Sequence, residues 1–184
     1  MKVYVMLATG FEITEAMLPI DILKRAGIEA ITVSVENLDV VAASNGTRVL
    51  PDLKMSDANL SDGEMIFLPG GMPGSKNLDE NPAVINAVSA YNEAGKWLVA
   101  VCAAPLVFGH MGLLNGQKAT CYPGFEDELH GADHQQQTVV RSGKIITGCG
   151  PGACFALGRE MVAALVSEEA ADKILSQMMF NVYA

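Results

Sequence analysis

Two apolar runs separated by one amphipathic helix open the chain and limit the folds it can adopt. Val3–Leu7 and Glu29–Val35 have the length and the apolar or β-branched content of strands. Between them, Glu12–Ala26 carries apolar residues at helical spacing and is followed by Gly27, a frequent helix terminator. Pro19 lies inside this segment, where it either kinks the helix or is tolerated in an early turn. A strand–helix–strand unit joins parallel strands, so the chain is predicted to build a parallel sheet.

Strands and helices are predicted to alternate along the rest of the chain. The further predicted strands and hairpin arms are Val40–Ala42, Arg48–Leu50, Met65–Leu68, the run that opens at Trp97, Ala119–Tyr122, Thr138–Arg141 and Lys144–Thr147. The further predicted helices are Pro82–Ala94, Leu106–Leu114, Phe125–His130, Cys154–Val166 and Glu168 to about Met179. Pro51–Gly63 is predicted to be a polar loop. We therefore predict one domain, residues 1–184, folded as a doubly wound α/β sandwich with a mostly parallel central sheet and helices on both faces.

Charge and composition exclude several classes of partner. Asp and Glu outnumber Lys and Arg by 21 to 12, which gives a formal net charge of -9. A field of this sign makes nucleic acid and anionic membranes poor partners. The chain shows no leader pattern and no long apolar span, so we expect a cytoplasmic protein. The four cysteines form no close pairs and the three histidines are scattered, so we expect no metal site and no cofactor.

The stretch Trp97-Leu-Val-Ala-Val-Cys-Ala-Ala-Pro105 passes from an apolar strand into a helix start, because Pro105 suits a first helical turn. We predict that Cys102 lies on the sharp turn between the two elements. Such a nucleophile elbow lifts a side chain out of the sheet beside backbone N–H groups, and a helix N-terminus favours a thiolate. The alternative is a buried core cysteine, since free cysteine is among the most buried residue types.

Four predicted loops follow strands and are expected to meet in one crevice, at the carboxyl ends of the sheet. They are Ala8–Phe11, Pro69–Gly71, Cys102–Ala103 and Gly148–Gly152. Gly70 and Gly71 can bring backbone N–H groups close to a reacting oxygen and, with the Ala103 N–H, form an oxyanion hole. Two plain turns are the alternative.

Glu12 and Glu15 open the first predicted helix and have two interpretations. They either interact favourably with the helix dipole, or one of them lies beside the Cys102 sulfur. A carboxylate beside a thiolate is repulsive, so one of the two groups must then hold a proton. His110 lies eight residues past Cys102 and is predicted to point away from the elbow, as a surface or partly buried histidine rather than a general base.

Four motifs occur together, in one order, across essentially the whole chain. They are Ala8-Thr-Gly-Phe-Glu-Ile-Thr-Glu15, Leu68-Pro-Gly-Gly71, Ala100-Val-Cys-Ala-Ala-Pro105 and Gly150-Pro-Gly152. In this combination the chain resembles the ThiJ/PfpI superfamily, and within it the branch of DJ-1-like proteins. The resemblance implies a flavodoxin-like sandwich and a homodimer. The first predicted helix also favours a dimer, because a helix that is apolar on more than one face is usually buried on both sides.

The resemblance also assigns roles to particular residues. It makes Cys102 the nucleophile and oxidation-sensitive thiol, and Glu15 its protonated partner. Gly71 and Ala103 match the backbone donors of the oxyanion hole. Asp21 matches a carboxyl that reaches towards the site near the dimer interface.

Two positions depart from the pattern of the superfamily. Tyr122 stands where many members place a histidine near the cysteine, and a phenol is a poor base at neutral pH. A Cys–His hydrolase mechanism is therefore disfavoured. Asn45 stands where close relatives often carry an arginine, which weakens an anion-binding pocket at the subunit boundary. Gly70, Tyr122 and Gly150 are expected to be neighbours of the site.

Three kinds of function remain open. The first is a cofactor-free glyoxalase or deglycase, in which the Cys102 thiolate adds to a small carbonyl substrate and Glu15 shuttles the proton. The second is an oxidative-stress sensor or redox-regulated chaperone, in which Cys102 is oxidised to a sulfinate. The third is an intracellular protease or amidase, or a role in thiamine biosynthesis, and the missing histidine counts most against the protease. The first two need the same reactive thiol, so the sequence does not separate them.

Overall fold

The computed structural model describes residues 1–180, and eleven strands and six α-helices form in that part of the chain. The strands are β1 Lys2–Leu7, β2 Glu29–Ser34, β3 Val41–Ala42, β4 Arg48–Val49, β5 Leu53–Lys54, β6 Met65–Leu68, β7 Trp97–Val101, β8 Lys118–Ala119, β9 Asp133–His134, β10 Val139–Ser142 and β11 Ile145–Gly148. The helices are α1 Ile13–Arg25, α2 Gly74–Asp79, α3 Pro82–Glu93, α4 Pro105–His110, α5 Cys154–Leu165 and α6 Glu168–Gln177.

Seven strands form the central sheet, in the order β10-β11-β7-β6-β1-β2-β5. All neighbouring pairs are parallel except β10 and β11, which form an antiparallel hairpin at one edge. The chain builds outward from β1 to β2 on one side and from β6 to β7 on the other. The order therefore reverses between β1 and β6, and the loops after these strands flank the point where ligands bind in such sheets. The predicted doubly wound α/β architecture with a mostly parallel sheet is confirmed.

The central strands are buried on both sides, because an apolar layer with helices covers each face of the sheet. Along β1, Val3, Val5 and Leu7 point into the layer that contains α1, α5 and α6. Tyr4 and Met6 point into the opposite layer, which contains α3 and α4. The alternation of side chains along one strand thus supplies both layers. In the described part of the chain no helix is long and apolar enough to span a membrane.

Both predicted hairpins are present. β3 and β4 pair in antiparallel register around Asn45 and Gly46, and β10 and β11 pair around Gly143. Gly46 and Gly143 have φ values of +87° and +57°, the left-handed conformation that such turns require. The Asn45 side chain accepts a hydrogen bond from the Thr47 N–H at 3.0 Å, so it stabilises the turn locally.

Several predicted elements differ in the structure, for reasons of tertiary context. The predicted loop Pro51–Gly63 contains β5, which gains its place only by pairing with the edge strand β2. The predicted helix Phe125–His130 is a single 3-10 turn at Glu126–Glu128. The predicted strand Ala119–Tyr122 is reduced to β8, Lys118–Ala119, which pairs with β9. Helix α2 was not predicted, because its six residues carry no apolar period.

Two helices also differ in detail. The predicted helix Leu106–Leu114 begins one residue earlier and ends at His110. Pro19 is buried within α1, which continues without interruption from Ile13 to Arg25, so the structure shows tolerance of this proline.

Candidate active site

Cys102 lies on a sharp turn between β7 and α4. Its φ is +64°, in the left-handed region that side chains other than glycine rarely adopt. Hydrogen bonds hold this conformation from two sides: the Cys102 N–H donates to the Gly148 carbonyl, and the Cys102 carbonyl accepts from the Tyr122 N–H, each at 2.9 Å. Strain of this kind persists only where the surrounding structure enforces it, and it is found most often at functional sites.

Glu15 reaches the same place from the first turn of α1. The residue is fully buried, and its Oε2 accepts a hydrogen bond from the Gly70 N–H at 2.9 Å. Its Oε1 is buried and receives no hydrogen bond from an N–H or O–H group. The Cys102 thiol faces this carboxyl and lowers its pKa, which opposes the effect of burial.

Glu12 has a different task from Glu15. Its side chain accepts a hydrogen bond from the Glu15 N–H at 2.7 Å and so caps the N-terminus of α1. The capping interpretation therefore applies to Glu12, while the carboxyl beside Cys102 belongs to Glu15.

Close backbone packing brings the Pro69–Gly71 loop against both side chains. A Cβ atom at Gly70 would lie 2.5 Å from the Cys102 Cβ and 2.5 Å from the Glu15 Oε2. Gly71 has a φ of +91°, and a Cβ there would lie 2.5 Å from the Glu12 nitrogen. The N–H groups of Gly71 and Ala103 face the Cys102 sulfur and lower the pKa of its thiol, although burial outweighs them.

Burial is the largest cause of the raised pKa of both Glu15 and Cys102. It raises the pKa of Glu15 to about 7, with the charge of Glu12 adding to the effect and the Cys102 and Gly70 hydrogen bonds opposing it. Burial also raises the pKa of Cys102 to about 12, and the negative charge of Glu15 adds to this. The expectation of a thiolate favoured by a helix N-terminus does not hold while Glu15 is ionised. α4 has only six residues, and the N–H groups of Gly71 and Ala103 do not outweigh burial beside a carboxylate.

Near neutral pH the Glu15 carboxyl is therefore partly protonated, while the Cys102 thiol keeps its proton. When Glu15 holds the proton, the repulsion that raises the Cys102 pKa disappears, and the carboxyl can donate a hydrogen bond to the sulfur. The pair as a whole, rather than either group alone, then determines how much thiolate forms.

Tyr122 and Asp21, two further expected site residues, make their contacts with other parts of the chain. Tyr122 has its ring beside Gly150, where a Cβ atom would lie 3.1 Å from the ring, and Tyr122 itself is 47% exposed. Asp21 lies on the exposed side of α1, where its carboxylate accepts a hydrogen bond from the Arg25 Nε at 2.8 Å. The contacts of Asp21 in one chain thus involve neither Cys102 nor Glu15. His110 contacts acidic side chains at the far end of α4, as described below.

A cavity of about 400 Å³ beside Tyr122 includes part of the predicted Gly148–Gly152 loop, and neither Cys102 nor Glu15 lines it. It is lined by Cys121, Cys149 and His134, together with polar residues of the Gln136–Thr138 segment. Cys149 directly follows β11, just as Cys102 directly follows β7. This shared position at a strand end is the signal that put the Gly148–Gly152 loop, and Cys149 with it, among the four predicted crevice loops.

Gly70→Ala is expected to disturb the site and destabilise the fold, because its Cβ would also lie 2.6 Å from the Val101 carbonyl oxygen, which cannot move aside. Overpacking of this kind costs about 1–3 kcal/mol. Gly152→Ala is the matched control, since a Cβ at Gly152 meets nothing within 4 Å. Urea unfolding of the two variants tests this, and equal stability of both would contradict the close packing at Gly70.

A mostly parallel sheet that carries a free cysteine on a strand-to-helix elbow, beside a buried glutamic acid, defines a class of α/β sandwich proteins with a cysteine elbow. Comparison with known proteins identifies the family within this class. The model of the DJ-1/PfpI family matches residues 1–164, and the chain belongs to this family.

Individual relatives agree with this assignment. Protein DJ-1 homolog B of Arabidopsis thaliana is 37% identical over 182 residues, which are 98% of this chain but 42% of the plant protein. The chain thus spans less than half the length of that relative. Glutathione-independent glyoxalase DJR-1.2 of Caenorhabditis elegans is 27% identical over 160 residues, covering 86% of this chain and 84% of the other. The structure of oxidized Toxoplasma gondii DJ-1 superposes with a TM-score of 0.93 at 34% identity, covering 98% of both chains, and the flavodoxin-like fold is thereby confirmed.

Proposed function

We propose that the protein is a cofactor-independent glyoxalase or deglycase that acts on small reactive carbonyl compounds through Cys102. The observation that carries the proposal is the pairing of the Cys102 thiol with a buried Glu15 carboxyl whose pKa is raised to about 7. A group with a pKa near the working pH is suited to accept and return a proton. The name of the C. elegans relative as a glutathione-independent glyoxalase also supports it.

In the first step the Glu15 carboxylate takes the proton of the Cys102 thiol, and the thiolate so formed adds to the aldehyde carbon of a substrate such as methylglyoxal. A C–S bond forms, and the electron pair of the carbonyl becomes an oxyanion. We expect the N–H groups of Gly71 and Ala103 to stabilise that oxyanion, because both lower the pKa of the Cys102 thiol and so favour negative charge there. Glu15 then supplies a proton to the oxygen, which gives a hemithioacetal.

The second step is an internal transfer of hydrogen that needs no external oxidant. Glu15 removes the former aldehyde hydrogen as a proton and returns it to the neighbouring carbon, while the hydroxyl proton moves from the first oxygen to the second. The carbonyl group thereby moves to the carbon bound to sulfur. The product is a thioester of Cys102, which water hydrolyses to lactate while the thiol is regenerated. Burial of Glu15 keeps competing water from its carboxyl during the transfer.

Turnover of methylglyoxal in the absence of glutathione tests this proposal directly. The purified protein should consume methylglyoxal and release lactate in equal amounts. Consumption without lactate would show alkylation of the protein rather than catalysis and would contradict the proposal.

A second candidate function is redox sensing at Cys102, because the two N–H donors that face its sulfur can also hold an oxidised sulfur oxygen. The related Toxoplasma gondii DJ-1 structure is of the oxidized protein. Mild peroxide is then expected to add two oxygen atoms to wild type and none to Cys102→Ser, since specific contacts can halt oxidation at the sulfinate. Intact-mass spectrometry checks this, and direct conversion to the sulfonate would rule out a trapped sulfinate.

We also propose that the protein is a homodimer that uses α1. Ile13, Met17 and Leu18 of this helix remain only partly buried within one chain. A second subunit would cover these side chains and remove apolar surface from water. Light scattering at micromolar concentration should give twice the chain mass of 19.4 kDa. A mass of one chain would contradict the dimer but leave the chemistry at Cys102 untouched.

A further inference from the structure

Three side chains that commonly bind metal ions meet on the surface at the far end of α4, away from Cys102. His110 is the last residue of α4, and Glu128 and His130 lie on the loop that packs against it. One ligand atom from each residue lies within 4.8 Å of the other two. The rings of His110 and His130 have their centroids 5.1 Å apart.

Asp79, at the end of α2, holds one nitrogen of His110. The His110 Nδ1 is 2.9 Å from the Asp79 Oδ2, and the His110 Nε2 is 2.9 Å from the Glu128 Oε2. Histidines that bind metal ions usually donate the other ring N–H to a carboxylate, which orients the ring and makes it a better ligand. Asp79 is placed to do this for His110, so the Nε2 is the atom directed towards Glu128.

Without a metal ion, the two carboxylates need a hydrogen-bond donor from each nitrogen of His110. A divalent cation in place of the Nε2 proton would satisfy the same carboxylate while the bond to Asp79 stays unchanged.

We propose that His110, His130 and Glu128 bind a divalent transition-metal ion of the zinc type, with Asp79 as the positioning residue for His110. Two imidazoles and one carboxylate are a common donor set for Zn²⁺, whereas Mg²⁺ and Ca²⁺ prefer oxygen ligands alone. All three ligands lie at the surface, so water has access to the remaining coordination position.

Close packing fixes the position of α4 relative to the loop that carries Glu128 and His130. Gly109 leaves no room for a Cβ beside the Glu128 carbonyl oxygen, so α4 and the loop are in direct contact. Leu129, between the two loop ligands, is 4% exposed and anchors the loop in the core. A bound ion would therefore tie the end of α4, which begins three residues after Cys102, to a loop that already has a defined position.

Zinc binding measured in a Cys102→Ser background, on protein without an affinity tag, tests the proposal. Removing this thiol excludes its contribution, so the result is also independent of the proposed carbonyl chemistry. We expect one Zn²⁺ per chain by calorimetry, and a loss of affinity of at least about 10-fold in His110→Ala and in Glu128→Gln. Asp79→Asn should weaken binding by about 10–100-fold, as other residues that orient ligands do.

The third histidine supplies the matched control. His134→Ala should leave zinc affinity unchanged, because His134 lines the cavity beside Tyr122 and is not part of the cluster. Unchanged affinity in His110→Ala would overturn the proposal, and would mean that His110 is a protonated bridge between two carboxylates and no more.

Histidine proton resonances in the wild-type protein provide a second readout that does not depend on any variant folding. Addition of Zn²⁺ should shift or broaden the ring signals of His110 and His130, while those of His134 stay in place. Shifts confined to His134, or absent from all three rings at saturating Zn²⁺, would refute the site.

Discussion

Cys102→Ser is expected to lose methylglyoxal turnover by at least about 10³-fold, because a serine hydroxyl beside Glu15 forms no comparable nucleophile and no thioester intermediate. Serine keeps the size of the side chain and the backbone can keep its left-handed turn, so the fold should persist. The measurement is the initial rate of methylglyoxal loss together with the lactate released, at equal concentrations of folded protein.

Cys149→Ser is the matched control for this loss. Cys149 is a partly exposed thiol that lines the neighbouring cavity and follows a strand end as Cys102 does. We expect it to retain turnover close to wild type. If Cys102→Ser remained active and Cys149→Ser did not, the nucleophile would be the cavity thiol and the proposed mechanism would be wrong.

Glu15→Gln is expected to lower turnover by about 10²–10⁴-fold, the usual loss when a general acid–base group is removed. Gln can still donate a hydrogen bond to the Cys102 sulfur, but it cannot carry a proton between the two substrate carbons. Because the charge of Glu15 is one of the causes that raise the Cys102 pKa, the pKa of the thiol should fall in this variant. Thiolate absorbance against pH measures that shift beside the loss of turnover.

Glu15→Asp and Glu12→Gln separate the roles of the two carboxyls. Glu15→Asp keeps the acid but shortens its reach, so it should weaken the contact with Cys102 and retain part of the turnover. Glu12→Gln makes the same chemical change three residues earlier, at the cap of α1, where an amide oxygen can still accept the Glu15 N–H. Its turnover should match wild type, and a loss as large as that of Glu15→Gln would show that Glu15 is not the proton carrier.

The buried Glu15 also predicts how stability depends on pH. The pKa of Glu15 is about 7 in the folded protein, against an ordinary value of 4.5 for a glutamic acid, so folding takes up a proton between these pH values. The free energy of unfolding should therefore fall as pH rises through this window, by up to about 3 kcal/mol from this group. Glu15→Gln should lack this component, and parallel pH profiles for wild type and variant in urea unfolding would contradict it.

The local sequence determined the order of the main elements, because each is encoded by a pattern that needs no distant partner. The apolar runs Val3–Leu7 and Met65–Leu68 predicted central strands that are buried on both faces. Pro105, which suits a first helical turn, predicted the abrupt change from strand to helix after Cys102. Asn45-Gly46 predicted a hairpin, because its turn is formed by adjacent residues.

Elements that depend on partners far along the chain did not follow from the sequence. β5 has two residues with no apolar alternation and is a strand only because β2 offers an unpaired edge. β9 depends in the same way on β8, and α2 is too short to show a helical period. For such short segments the free energy that stabilises the strand or helix comes from tertiary contacts rather than from local propensity.

The chemistry of the site shows the same division. The sequence by itself placed Cys102 on an elbow. It also put two glutamates at the start of α1, the first helix of the chain, without separating their roles. Only the tertiary structure decided that Glu12 faces the helix end as a cap while Glu15 is buried against Gly70 and Cys102. It also decided the proton affinities, because burial and the distance between two charges are properties of the folded chain and not of either residue's neighbours in sequence.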